Sequence, residues 1–89
     1  MHKIAYTETF ARDIKRLDKP VAKRIVNKIL EAAKNPYNIK PLRYSPKDLP
    51  NLYKLRAGDW RILFWIDHKE KIITLYAIER RSRIYRDLK

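Results

Sequence analysis

Residues 52–78, LYKLRAGDWRILFWIDHKEKIITLYAI, decide the fold. Apolar and polar side chains alternate along most of this stretch, the period of a strand with one buried face. Three strands are predicted, at Leu52–Ala57, Trp60–Ile66 and Lys71–Ile78. Turn-forming residues join them at Gly58–Asp59 and at Asp67–Glu70.

The period changes upstream. Lys3–Tyr6 reads as a short strand, and Thr7 as the N-cap of a helix with Glu8 in its acidic first turn. Phe10, Ile14 and Leu17 recur at helical spacing, so the helix runs to about Leu17. Asp18-Lys19-Pro20 ends it and starts another, because proline is tolerated in a first turn. Val21, Ile25, Ile29 and Ala33 form the buried stripe of this second helix, and Asn35-Pro36 stops it. Between Asn35 and Pro50 lie four prolines and no clear period: an ordered loop, with room for a short strand at Leu42–Tyr44. The predicted order is β-α-α-β-β-β, an antiparallel sheet with a two-helix hairpin packed on one face, in the α+β class.

An 89-residue chain without internal repeats is one domain, spanning residues 1–89. Cysteine is absent, which excludes a disulfide framework and a Cys-based zinc site. No stretch approaches the roughly 18 apolar residues of a membrane span, and the first residues lack the apolar run of a signal peptide. A cytoplasmic protein with no membrane association is expected. Charge is the strongest bulk signal. Twenty-two Lys and Arg against ten Asp and Glu give +12 at pH 7, a field that draws in polyanions. The cations of the two helices are read as solvated.

A two-residue turn at Gly58–Asp59, with glycine at its first position, suits type II′ geometry and sets the register. Arg56 then opposes Arg61, Leu55 opposes Ile62, and Tyr53 opposes Phe64. Tyr53, Leu55, Ile62, Phe64, Ile73 and Leu75 face the helices. Lys54, Arg56, Arg61, Thr74 and Tyr76 share the uncovered face. Like charges directly opposed across an antiparallel pair are destabilising by a few tenths of a kcal/mol or more, and local rules are broken where function requires it. A phosphodiester lying across the sheet would relieve the conflict; alternatively the side chains splay into water. Leu52, Leu63, Trp65 and Ile72 fall on the same face. They form either a partner surface or the bed of a folded-back C-terminal segment. That segment, ERRSRIYR at 79–86, mixes cations with an aromatic ring, a combination suited to phosphate binding and base stacking. Arg80, Arg83 and Arg86 are the RNA-binding candidates there.

Taken in order, the β-α-α-β-β-β pattern, LYKLR (52–56), WRILFW (60–65) and the closing ERRSRIYR resemble the RelE toxins of type II toxin–antitoxin pairs over nearly the whole chain. The resemblance implies a toxin that cuts messenger RNA in the ribosomal A site without a metal or other cofactor. In that chemistry the ribose 2′-OH attacks its own phosphate and leaves a cyclic phosphate. By the same resemblance Lys54 and Arg56 match the family's paired basic positions and Arg61 its third-strand arginine. Arg81 matches the arginine after the last strand, and Tyr85 the closing aromatic.

The chain departs from the family in its short 57–59 turn and at Glu79, where a small residue is frequent. Glu79 is either an additional acid–base group or the ion-pair partner of a neighbouring arginine. His2, at the terminus, and His68, in a turn, do not suggest a paired-histidine ribonuclease. Acid–base work then falls to Lys or Tyr, and crowding by cations makes Lys54 the candidate base. Arg61 and Arg81 would stabilise the phosphorane, and Tyr85 would stack on the substrate base. The partners implied are the ribosome carrying mRNA and an acidic RelB-like antitoxin, whose seat is expected to include Leu52, Trp65 and Ile72. The rival readings are a ParE-like gyrase inhibitor on the same fold, and a nucleic-acid-binding module without catalysis.

Overall fold

The computed structural model describes residues 1–39, 41 and 51–80. Its strands are β1 (Lys3–Tyr6), β2 (Tyr53–Ala57), β3 (Trp60–Asp67) and β4 (Ile72–Arg80), and its helices are α1 (Glu8–Lys15) and α2 (Lys19–Lys34). The expected short strand at Leu42–Tyr44 lies outside the described residues.

Local chemistry sets the boundaries. The Thr7 hydroxyl accepts the Phe10 N–H at 3.2 Å and caps α1. α1 ends earlier than its apolar spacing suggests. The N–H groups of Arg16 and Leu17 turn back to the carbonyls of Asp13 and Ile14, tightening the last turn into 3₁₀ geometry. Pro20 sits in the first turn of α2, and Pro36 opens a 3₁₀ turn at Pro36–Asn38 that stops it. In the β2–β3 turn Gly58 has φ +63°. Asp59 is not among the positive-φ residues, which makes the turn type II′ rather than I′.

The sheet order is β1-β4-β3-β2. β2, β3 and β4 form the expected antiparallel meander, but β1 runs parallel to β4, pairing Lys3 with Ile72 through Tyr6 with Leu75. The sheet is therefore mixed and not wholly antiparallel. Alternation tells which face a residue occupies; it carries no record of the direction of the neighbouring strand. That direction is set by the helical crossover, which returns the chain to the far edge of the sheet.

α1 lies over β4 and α2 over β2. Phe10, Ile25, Ile29, Ala33, Ala57, Ile62, Phe64, Ile73, Leu75 and Ile78 form one buried cluster between helices and sheet. Each large apolar side chain fully buried here contributes about 1.5–3 kcal/mol relative to exposure.

β4 carries one extra residue: Leu63 pairs with Ala77, but Phe64 pairs with Leu75, so Tyr76 is bulged out of the ladder. Unbroken alternation from Leu75 would have turned Ile78 to solvent and Glu79 into the core. The bulge resets the parity, burying Ile78 and bringing Glu79 opposite Arg61. Two side chains of the α1 region hold it in place. The Thr7 hydroxyl donates to the Tyr76 carbonyl at 2.7 Å, and the Asp13 carboxylate accepts the Ile78 N–H at 2.9 Å. β1 has ended by this point, so these two groups satisfy the stretch of β4 edge that no strand covers.

Candidate nucleic-acid interface

The register of β2 against β3 is the one read from the sequence: Tyr53 with Phe64, Lys54 with Leu63, Leu55 with Ile62, Arg56 with Arg61. β2 and β3 thus place Lys54, Arg56 and Arg61 together on the face that the helices leave uncovered. Arg56 is exposed and its Nε donates to the Gly58 carbonyl at 3.3 Å, which turns the guanidinium back over the hairpin. Lys54 and Arg61 are half-buried.

Across β3 from Arg56, the row continues with Glu79 opposite Arg61. The like-charge conflict is thus flanked by a carboxylate of the chain itself, in the position an ion-pair partner of an arginine would take. The row runs Arg56, Arg61, Glu79 across three strands, and Lys54, Leu63, Ala77 form the next row. Two cations for one anion in the first row, with Lys54 beside it, leave a net positive strip at the β2–β3 end of the sheet.

Other predicted residues are placed differently. Arg80 pairs with Trp60, on the helix side of the sheet, and its guanidinium sits over the Trp60 ring at 5.3 Å. It is on the opposite side from Arg61. Arg81, Arg83, Tyr85 and Arg86 lie outside the described residues. Leu52, expected on an exposed apolar stretch, is 1% exposed and therefore buried. Leu63, Trp65 and Ile72 are half-buried. Ala77, which pairs with Leu63 on the face away from the helices, is buried as well.

One association was missed. His2 and His68, read as a terminus and a turn, meet: His2 Nε2 lies 3.3 Å from His68 Nδ1, one imidazole donating to the other. The Tyr37 ring stacks on His68 at 4.9 Å and meets His2 edge-on at 6.0 Å. His2 is 4% exposed. Its pKa is held below the ordinary histidine value by burial first, then by His68, the N-terminal amine and Lys71. Parallel pairing of β1 with β4 creates this contact, because the Lys3 N–H donates to the Lys71 carbonyl at 2.8 Å. The sequence offers no signal for it, since the residues are 66 positions apart. The pair sits at the other end of β3 from Arg61, and its nitrogens face each other with no space for a phosphate between them. Among the described residues no three His, Asp or Glu side chains converge as metal ligands.

A family model for the ParE toxin of the type II toxin–antitoxin system parDE matches residues 4–85. The chain belongs to the RelE/ParE superfamily. Within it the chain is RelE-like: Toxin RelE of Mycobacterium tuberculosis is 36% identical over 85 residues, covering 93% of this chain and 84% of the relative. The fold matches that of solved RelE proteins. The RelBE2 toxin–antitoxin complex of M. tuberculosis superposes with a TM-score of 0.76 at 22% identity, over 90% of this chain and 98% of the other. The isolated E. coli RelE toxin superposes at 0.72 and 19% identity, over 99% and 95%. This RelE-like chain is the toxin component of a type II toxin–antitoxin system.

Proposed function

We propose that this toxin is a ribosome-dependent endoribonuclease that cuts mRNA in the A site without a metal, by attack of a ribose 2′-OH on the adjacent phosphate. The observation that carries the reading is the opposition of Arg56 and Arg61 beside Lys54 on the uncovered face, an arrangement that a phosphodiester relieves. The attacking 2′-OH gives its proton to a base, for which Lys54 is the candidate. The new O–P bond closes the 2′,3′-cyclic phosphate, the 5′-oxygen leaves and takes up a proton, and no water is consumed. Arg61 offsets the charge of the phosphorane, where preorganised cations have their largest effect, and Arg56 grips the neighbouring phosphate. Arg81 is proposed as a second phosphorane-binding cation and Tyr85 as the stacking ring, both on family resemblance.

The proposed partners are the ribosome with mRNA and an acidic RelB-like antitoxin, in the cytoplasm. A charge of +12 complements an acidic chain, and several of the similar solved structures are RelB–RelE complexes. With Leu52 buried, the part of the expected antitoxin seat within reach is Trp65 and Ile72. No helix among the described residues is long and apolar enough to span a membrane.

The match to the ParE family model supports a second reading, inhibition of DNA gyrase. Incubation with mRNA-programmed ribosomes and, separately, with gyrase and supercoiled DNA distinguishes the two. Codon-positioned cuts ending in cyclic phosphate are expected. Gyrase inhibition with intact mRNA would overturn the ribonuclease reading.

A further inference from the structure

The uncovered face carries an aromatic pair, Trp65 and Tyr76, beside its cations. Trp65 lies on that face two residues along β3 from Leu63, opposite Thr74, and alternation along β4 sets Tyr76, two residues on from Thr74, on the same face beside it. Their rings lie 5.2 Å apart, tilted at 56°, and both residues are half-buried. Along β3, Trp65 follows Arg61 by four residues, a separation of about 13 Å at the usual rise of a strand. Leu63 and Lys54 lie between. The aromatic pair and the cationic row therefore share one surface, in line along one strand.

We propose that Trp65 and Tyr76 form a base-stacking platform for single-stranded RNA whose phosphates rest on Lys54, Arg56 and Arg61. This deepens the ribonuclease reading and rests on it. A groove that combines a cationic track with aromatic faces is the general chemistry of single-strand binding. Charge alone would hold any polyanion equally; rings select a chain that carries bases. The platform is also rigid. Thr7 holds the Tyr76 carbonyl and Asp13 holds the Ile78 N–H from the far side of the sheet, so the Tyr76 ring is aimed by bonds that do not touch RNA. Tilted ring pairs at this distance stabilise one another.

The test uses two polyanions, an eight-residue oligoadenylate and inorganic polyphosphate, with the full chain carrying Trp60→Phe so that Trp65 is the sole tryptophan. Oligoadenylate should quench the Trp65 fluorescence, whereas polyphosphate should bind without quenching. Trp65→Leu and Tyr76→Leu should each weaken oligoadenylate binding about 5- to 150-fold, the equivalent of 1–3 kcal/mol of stacking per base, and leave polyphosphate affinity within about twofold. Trp65→Tyr, which keeps a ring, should restore most of the affinity and serves if the leucine variant fails to fold. Unchanged oligoadenylate affinity in both leucine variants, with binding still lost in Arg61→Ala, would overturn the platform and leave the ribonuclease reading standing. Loss of binding to an acidic protein partner alone, with oligoadenylate affinity intact, would equally overturn it and assign the rings to that partner. Failure of the unsubstituted protein to bind either polyanion would overturn the platform, and only a further failure to cut mRNA on programmed ribosomes would overturn the ribonuclease reading with it.

Discussion

Arg56 and Arg61 stand directly opposite each other across β2 and β3, and Glu79 stands on the far side of Arg61. The sheet thus tolerates a like-charge pair at a position where cross-strand neighbours normally contribute about 0.2–1 kcal/mol of stabilisation. Arg56→Ala should therefore leave thermal stability unchanged or raise it by up to about 1 kcal/mol, while reducing RNA cleavage and growth inhibition. A melting curve and a toxicity assay on the same variant check this. A variant that is both less stable and fully toxic would contradict it.

Binding through a few phosphates predicts a definite response to salt. Each phosphate neutralised on a single strand adds about 0.7 to the negative slope of log affinity against log salt concentration. Three cations on the uncovered face should give a slope of about −2 for a short RNA, falling to about −1.4 in Arg61→Ala. Fluorescence anisotropy between low and moderate salt measures it.

The Asp13 carboxylate accepts the Ile78 N–H at the edge of β4. Removing an ionised acceptor from a half-buried donor costs about 1.5–3 kcal/mol. Asp13→Ala should lose about that much stability in denaturant titration, far more than Asp18→Ala, since the Asp18 side chain makes no cap hydrogen bond. If the bulge also aims Tyr76, the Asp13 variant should bind oligoadenylate more weakly at temperatures where it is still folded.

His2 makes stability depend on pH. Its folded-state pKa lies below the ordinary value of 6.5, chiefly through burial. Between those two values the unfolded chain binds the proton more readily, so stability falls as pH drops from about 6.5 through the folded pKa. Melting temperature should decline across that acidic range in the parent protein. It should decline less in His2→Gln, where the buried His2 imidazole is absent. Equal slopes in the two proteins would exclude the His2–His68 contact as the cause.

The helices, the three-stranded meander and the Arg56–Arg61 register were legible in the sequence because each is encoded locally. Apolar spacing selects helix or strand, Thr7, Pro20 and Pro36 mark helix ends, and a glycine able to adopt positive φ fixes a two-residue turn. From that turn outward, pairing follows by counting. The sequence also placed Lys54, Arg56 and Arg61 on one face, since counting needs no knowledge of what lies above or below.

Only the tertiary structure decided the rest. The parallel seating of β1 against β4, the Tyr76 bulge and the meeting of His2 with His68 depend on groups far apart in the chain, whose association leaves no periodic trace. The bulge is the clearest case. One residue slipped out of the ladder reverses the face of every residue after it, which returns Ile78 to the core and sets Glu79 beside Arg61. Backbone hydrogen bonding to α1 stabilises that slip, and no local pattern in β4 announces it.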